Sequence, residues 1–512
     1  MSISSSIYIG TSGVIAQQEN MSVISDNIAN MGTLGFKSSR LLFNNLLSEQ
    51  MTGGSVGNQI GQGVGISSIY NNMSVGSMET TNTSTDIAIS GTGFFIVSPD
   101  NSTDSYYTKA GNFRFDAEGY LRDPKGNILQ GYQLPAESVQ DNPLTIPPAA
   151  SAPLTDIHLN TQEGGVVSEP EATTEMRMMI NLDSGSEDRS TSATDPFTAL
   201  FDKWDATLQE PLAAGAYTYE SSLKIYDANG QAHEVQAFFD PVQDGATLSN
   251  GNRVWEYLFT IPPAEDASGL GSKKGVLMAG TMTFSPSGEL LNMSGFEGTS
   301  DAKSSWVPVG FSEDGYPVLN ASFVGAPRVS TALDMGLRSA DGWNLPAGTA
   351  TLDDLGTQEA QLPSMLNPDR QLLSMTNLSS GSHTLYQSQN GYERGYLQSV
   401  SVDTSGNLIG NFSNGQDQGL FRIPLADFIN PQGLHREGGN LFSATKDSGN
   451  VMLGWAGEGR LGQVAPNSLE GSNVDLATEF VNMIITQKGF EANSKTITTG
   501  DQVVQTAIQM KK

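Results

Sequence analysis

The 512-residue chain contains no cysteine. That excludes disulfides, zinc–thiolate sites and thiol nucleophiles. Basic residues are scarce: 26 Lys and Arg stand against 55 Asp and Glu, a formal net charge of −29. Such a surface is a poor match for nucleic acid, whose binding needs basic groups to displace counterions, and for an anionic membrane leaflet. The four histidines, His158, His233, His383 and His435, are scattered and lack the spacing of a metal site. No apolar run reaches the length needed to span a bilayer. The first residues lack a basic segment leading into an apolar core, so they do not read as a secretory signal peptide; if the chain leaves the cytoplasm, another route is implied. No Gly-x-Ser-x-Gly elbow occurs. Acids are plentiful enough for a glycosidase-type carboxylate pair, but nothing selects one. The expectation is a protein that is not an enzyme and uses no cofactor or metal, with no nucleic-acid partner and no membrane insertion.

What the chain does have is concentrated at its ends. After Ser472, the residues Leu476, Phe480, Met483, Phe490, Ile497, Val504 and Ile508 follow one another at steps of four, three or seven. This heptad spacing marks a helix that buries one narrow stripe against another helix. Gln487, Ser494 and Asp501 occupy the same seam, no proline follows Pro466, and Ser472 with Asp475 three residues on reads as an N-terminal cap. A helix from Asn473 to Met510 would be roughly 50 Å long. At the other end Ile7, Val14, Met21 and Ile28 are spaced by seven, with Ile24 and Met31 in the second row. Only Glu19 and Asp26 carry charge before Lys37. Two readings stand: ordinary amphipathic helices on a globular body, or a coiled-coil-like pair that also contacts other copies.

Between the ends the pattern is that of strands and tight turns. Gly32 and Gly35 punctuate the end of the first helix, and residues 52–65 are rich in glycine. A phosphate-binding loop would need a Lys-Ser/Thr pair or a strand–loop–helix context, so this stretch reads as a connector. One unit then recurs: an apolar residue, an Asp/Ser-x-x-Gly turn, and Leu or Ile two residues later. It appears around Asp116, Asp123, Ser285 and Asp403, with a looser copy at Asp227. Calcium loops require a longer string of oxygen ligands; these units read as hairpin turns in which the acid bonds its own backbone and Gly takes φ > 0. Pro143, Pro147, Pro148 and Pro153 bracket a change of region. Residues 183–208 and 345–369 read as polar, irregular insertions. The layout is nested: an N-terminal axial helix (1–36), a Gly-rich connector (37–65), the first part of a β-rich domain (66–160), an inserted β-rich domain of one or two lobes (161–383), the second part of the first domain (384–466) and a C-terminal helix (467–512). The fold class is mainly β, with the two terminal helices paired as a coiled coil.

Several of these stretches are ordered motifs. NIAN (27–30) followed by TLGFK (33–37), DIAISGTGFF (86–95) with YTKAGNF (107–113), and LEGSNVDL (469–476) continuing through QKGFEAN (487–493) resemble the bacterial flagellar axial proteins, the rod and hook subunits. The resemblance covers about residues 1–135 and 385–512 and is highly specific for that family; the central LKIYDANG (223–230) is similar to the outer domain of its hook members. Rod subunits are shorter and lack a large central insertion, so the length points to the hook; the distal rod subunit and a secreted β-rich adhesin are the alternatives. The resemblance implies a subunit exported unfolded by the flagellar type III apparatus, assembled with copies of itself under the hook cap, and meeting the rod and the hook–filament junction proteins. It implies a location in the flagellar basal body and hook, outside the cell. The heptad rows supply the packing residues Ile7, Val14, Met21, Ile24, Ile28, Leu476, Phe480, Met483, Phe490, Ile497, Val504 and Ile508, and the resemblance assigns the family motif to Asn27, Ile28, Ala29, Asn30, Gly35, Phe36 and Lys37. Some family members crosslink neighbours through a cysteine, which this chain cannot do. Apolar stripes left short of neighbours imply termini that are flexible in isolation and fold on polymerisation.

Overall fold

The computed structural model describes residues 3–46, 49–50, 59–100, 102, 104–134, 153–159, 165–243, 246, 248–347 and 350–510. Much of the glycine-rich connector, and Pro143, Pro147 and Pro148, therefore lie outside the described residues. The chain is mostly β, with helix α1 (Ile3–Ala29) at one end, a short α2 (Ala199–Lys203) in the middle and α3 (Leu476–Met510) at the other end. It divides into two compact units: residues 1–168 with 396–512, and residues 169–395.

In the first unit, early and late parts of the chain share one sheet. Its main path runs Val167–Ser168, Gly395–Val402, Asn407–Phe412, Asp417–Arg422, Ile128–Gln133, Phe95–Ser98, Tyr106–Thr108, Leu441–Ser443 and His435–Gly438. One core serves both parts: Ile89, Phe95, Phe113 and Leu129 pack with Leu408, Ile423, Leu425 and Val464. The recurring turns tie the strands. The Oδ1 of Asp123 accepts the N–H groups of Lys125 and Asn127, and that of Asp403 accepts those of Ser405 and Asn407. The glycine that closes each turn, Gly126 or Gly406, has φ of +93° or +81°, a region open to Gly at no steric cost. Ahead of this sheet, Ser39–Asn45 pairs antiparallel with Val64–Asn71, so the arms of the segment that reads as a connector form a hairpin.

The second unit is built on a six-stranded antiparallel meander, Tyr219–Tyr226, Ala232–Val242, Arg253–Thr260, Val276–Phe284, Leu290–Gly298 and Trp306–Pro308. A four-stranded sheet accompanies it: Val318–Ala321, Val329–Asp334, Glu175–Asn181 and His383–Gln389. Side chains alternate along a strand. Phe239, Trp255, Tyr257 and Phe259 join the core that includes Met178 and Ile180 of the four-stranded sheet. Phe238, Val254 and Leu258 fall in a second core. The segments that read as polar insertions supply the cover for that second core: Phe197, Leu200, Phe201 and Trp204 from one, Leu352, Leu355 and Leu362 from the other. They are parts of the packed domain, because a sheet whose two faces are both apolar must be covered on both sides.

Candidate assembly site: the helix pair and its junction

Helices α1 and α3 lie antiparallel, with Ile7 beside Gly500 and Asn27 beside Glu479. Glycines and polar groups close much of the seam. A Cβ on Gly10 would stand 3.0 Å from Cγ1 of Ile497, and one on Gly13 2.6 Å from the Asn493 amide. On the facing helix, a Cβ on Gly489 would meet Gln17 at 3.0 Å, and one on Gly500 would meet Ile7 at 2.9 Å. At each of these four levels one helix inserts a side chain where the other has none. Asn20 Nδ2 donates to Thr486 Oγ1 at 2.8 Å, and Asn27 Nδ2 to Glu479 Oε1 at 3.1 Å. Glycine inside a helix costs about 1 kcal/mol relative to Ala, so four glycines on one seam are the signal that sequence reasoning passed over.

The stripe residues take three kinds of place. Ile24 is buried; Ile7, Val14, Met21, Ile28, Leu476, Met483, Ile497 and Val504 are half-buried. Phe480, Phe490 and Ile508 are 47%, 40% and 62% exposed. Val481, Ile484, Ile485 and Val503 of α3 are exposed as well. An open cleft of about 760 Å³ runs between the helices and the paired strands Ser39–Asn45 and Val64–Asn71, lined in part by Ile24, Leu41, Phe43, Tyr70 and Ile485.

Below the pair is a junction where the motif residues converge. Asn27, buried, accepts the N–H of Ser39 and donates to its carbonyl, both at 2.8 Å, and so turns the chain at the end of α1. Asn30 donates to the carbonyl of Asp26; Ala29 is the exposed last residue of the helix. Gly35 has φ +67° and lies against the backbone of Lys109 and Ala110, where a Cβ would come within 2.7 Å of the Ala110 nitrogen. Its N–H donates to Glu470 O at 2.7 Å. Phe36 is buried beneath the Arg436 guanidinium, which donates to Lys37 O at 2.6 Å. Lys37 Nζ is paired with Glu470 Oε1, both side chains fully buried. The same ammonium donates to Ser74 O at 2.6 Å, and Gly76 N–H donates to the Glu470 carboxylate at 2.9 Å. Asn473 accepts from Ser38 N–H and donates to the carbonyls of Asn72 and Ser74. Lys109, also buried, donates to Gly91 O at 2.8 Å. Desolvation brings its ammonium down to about 8, against the raising influence of Glu470.

The start of α3 differs in detail from the cap read in the sequence. Asp475 is the capping residue: its carboxylate accepts from Ala477 N–H at 3.1 Å and from the Thr478 hydroxyl at 2.7 Å, bonds that hold it below the usual carboxylate range. Ser472 accepts from Val474 N–H, at the longer 3.3 Å. Chemically, the site offers rigid apposition of two chain ends. Among the described residues no cluster of three or more His, Asp or Glu is placed to hold a metal.

Four segments of the chain match known protein families. Residues 7–37 match the family described as flagella basal body rod protein, 88–168 the flagellar hook protein FlgE/F/G D1 domain, 199–392 the flagellar basal body protein FlaE D2 domain, and 465–510 the flagellar basal body rod FlgEFG protein C-terminal region. The flagellar hook protein FlgE of Treponema pallidum is 28% identical over 522 residues, covering 99% of each chain. That of Salmonella typhimurium is 29% identical over 501 residues, covering 98% of each. A crystal structure of the Helicobacter pylori flagellar hook protein FlgE2 overlaps 77% of this chain and all of that one, at 16% identity and a TM-score of 0.43. The matched regions follow one another from the first helix to the last, and the relatives align from end to end; the chain belongs to the flagellar hook protein family.

Proposed function

We infer that this chain is the structural subunit of the bacterial flagellar hook, which polymerises with copies of itself into a tube at the cell exterior. The carrying observation is end-to-end similarity to hook proteins, with the D2 insertion in its place at 199–392. A distal rod subunit and an adhesin are not favoured, since the relatives matched along their whole length are hook proteins.

In this reading the α1–α3 pairs line the inside of the tube and the β units form its outer layers. The tube is curved and works as a universal joint that passes motor torque to the filament. Such a joint needs stiff inner contacts and outer ones that shift at little cost. The seam of glycines and inserted side chains supports stiffness, because a slip by one turn would set side chain on side chain. Ile7, Val14, Met21, Ile24, Ile28, Leu476, Met483, Ile497 and Val504 supply packing within the pair, and Phe480, Phe490 and Ile508 face neighbouring copies. The motif from Asn27 to Lys37 fixes where the helices leave the β unit. The rod, the hook cap, the hook–filament junction proteins and the type III export apparatus are the further partners of this reading.

Electron microscopy of the purified chain under polymerising conditions tests it. Short curved tubes of uniform width are expected, and deletion of residues 473–512 should abolish them while leaving the β units folded. Tubes of undiminished length from the deleted chain would sink the reading.

A further inference from the structure

In the second unit, Ala232–Val242 and Arg253–Thr260 run antiparallel with Asp240 directly opposite Glu256. Directly opposed residues share a face of the sheet, with Cβ atoms about 5 Å apart. Phe238, Val242, Val254 and Leu258 join the core that α2 helps to cover, and the two acids alternate into that same face. Both are buried, Asp240 0% and Glu256 2% exposed. The covering segment hangs on them. Asp240 Oδ2 accepts the N–H groups of Arg189 at 2.9 Å and Ser190 at 2.7 Å, and its Oδ1 accepts the Thr218 hydroxyl at 2.6 Å. Glu256 accepts the N–H groups of Ala199 at 3.3 Å and Leu200 at 2.6 Å.

Among the described residues no lysine or arginine pairs with either acid. The nearby cations are committed elsewhere: Arg189 donates to Tyr217 O, Lys203 to Arg189 O, Lys303 to Asp202 and Thr198, and Lys273 to the carbonyls of Phe201 and Trp204. Asp188, which accepts from the N–H groups of Thr191 and Gln243, adds negative potential. On the other side of Glu256 stands the neutral Thr281. Two carboxylates this close, dry and without a counter-charge cannot both be ionised at little cost, so the pair holds a proton.

We propose that the Asp240–Glu256 pair is a proton-dependent fastener, which docks residues 187–204 onto the sheet while it holds one proton and loosens them when both acids are ionised. The donors divide the roles. Asp240 accepts three hydrogen bonds and is the better anion; Glu256 accepts two and carries the proton. Desolvation, with Asp240 and Asp188 adding to it, drives the Glu256 carboxyl well above the ordinary range, and desolvation also raises Asp240. A carboxyl raised by folding keeps its proton after the unfolded chain has lost it. Docking is therefore strongest at acid pH and weakens as pH rises from the ordinary carboxylate range through the value of the folded pair, by up to about tenfold per pH unit for one linked proton.

Amide hydrogen exchange on the full chain between pH 5 and 9, corrected for intrinsic rates, tests this at Ser190 and Leu200. In the unsubstituted chain the opening constant at both amides should climb with pH, up to about tenfold per unit, while the amide of Leu258 in the strand stays level. Glu256→Gln keeps the acceptor and removes the charge, so the climb should vanish. Asp240→Asn removes the neighbouring charge but leaves Glu256 buried, so the climb should level off at a lower pH, whatever its absolute level. An unchanged climb in Glu256→Gln overturns the proposal. So does an unchanged climb in Asp240→Asn, which decides the matter alone if the first variant does not fold.

Discussion

At the scale of single residues, the densest chemistry lies in the buried pair of Lys37 and Glu470, 433 positions apart in the chain. Both stand in stretches that read as family motifs, but nothing in the sequence joins them, because pairing across such a separation exists only once the fold is made. Gly35 shows the same limit. A glycine near a helix end reads as a C-terminal stop, whereas here its missing side chain also admits the backbone of Lys109 and Ala110. The ion pair lends itself to a stability test. Removing one member leaves a charge buried without its partner, at a cost of roughly 3–5 kcal/mol, while apolar replacement of both is often close to neutral. Glu470→Leu should therefore lower the urea unfolding free energy by several kcal/mol, and Lys37→Met combined with Glu470→Leu should recover most of the loss. Losses that simply add in the double variant would mean that the two groups act independently and that the junction is held by its backbone hydrogen bonds alone.

At the scale of elements, the strands and turns were readable because their chemistry is local. Asp123 and Gly126, or Asp403 and Gly406, close a turn with groups three residues apart, the Gly N–H donating to the Asp carbonyl at 3.0 or 3.1 Å. The cover of the second core was not readable. Phe197, Leu200, Phe201 and Trp204 are few, stand among polar residues and form a helix of five residues, too short for a period to show. The terminal helices fall between these cases. Their existence follows from the heptads, but the stripe does not identify the seam: Phe480 and Ile508 remain exposed, and Gly13 and Gly489 are the positions against which the partner helix inserts. A substitution with opposite local and tertiary effects separates the two. Gly13→Ala should raise the helicity of a peptide of residues 3–29, since Ala is favoured over Gly by about 1 kcal/mol. In the full chain the same methyl meets Asn493, and tube formation should weaken. Gly13→Leu should abolish it, whereas Gly32→Ala, with open space around it, should leave it unchanged. Circular dichroism of the peptide and light scattering of the full chain read the two effects, and better assembly of Gly13→Ala would mean that the seam is looser than its geometry implies.

At the scale of the whole molecule, charge and apolar surface oppose each other. Every copy brings a net charge of −29, so stacking copies into a tube concentrates like charge, and self-repulsion works against the compact state. What can outweigh it on α3 is exposed apolar surface at Phe480, Val481, Ile484 and Ile485, whose burial contributes about 25 cal/mol per Å² and is not weakened by simple salt. Screening shortens the reach of charge from about 30 Å at 0.01 M salt to about 8 Å at 0.15 M. The concentration needed for tube growth should therefore fall as sodium chloride is raised across that range. Phe480→Ser with Ile484→Ser should prevent growth at every salt concentration, because screening removes the repulsion without supplying an attraction. The sign of the salt effect is the discriminating observation. If the copies were held instead by ion pairs between complementary charged faces, added salt would raise the concentration required, and the paired serine substitutions would matter little.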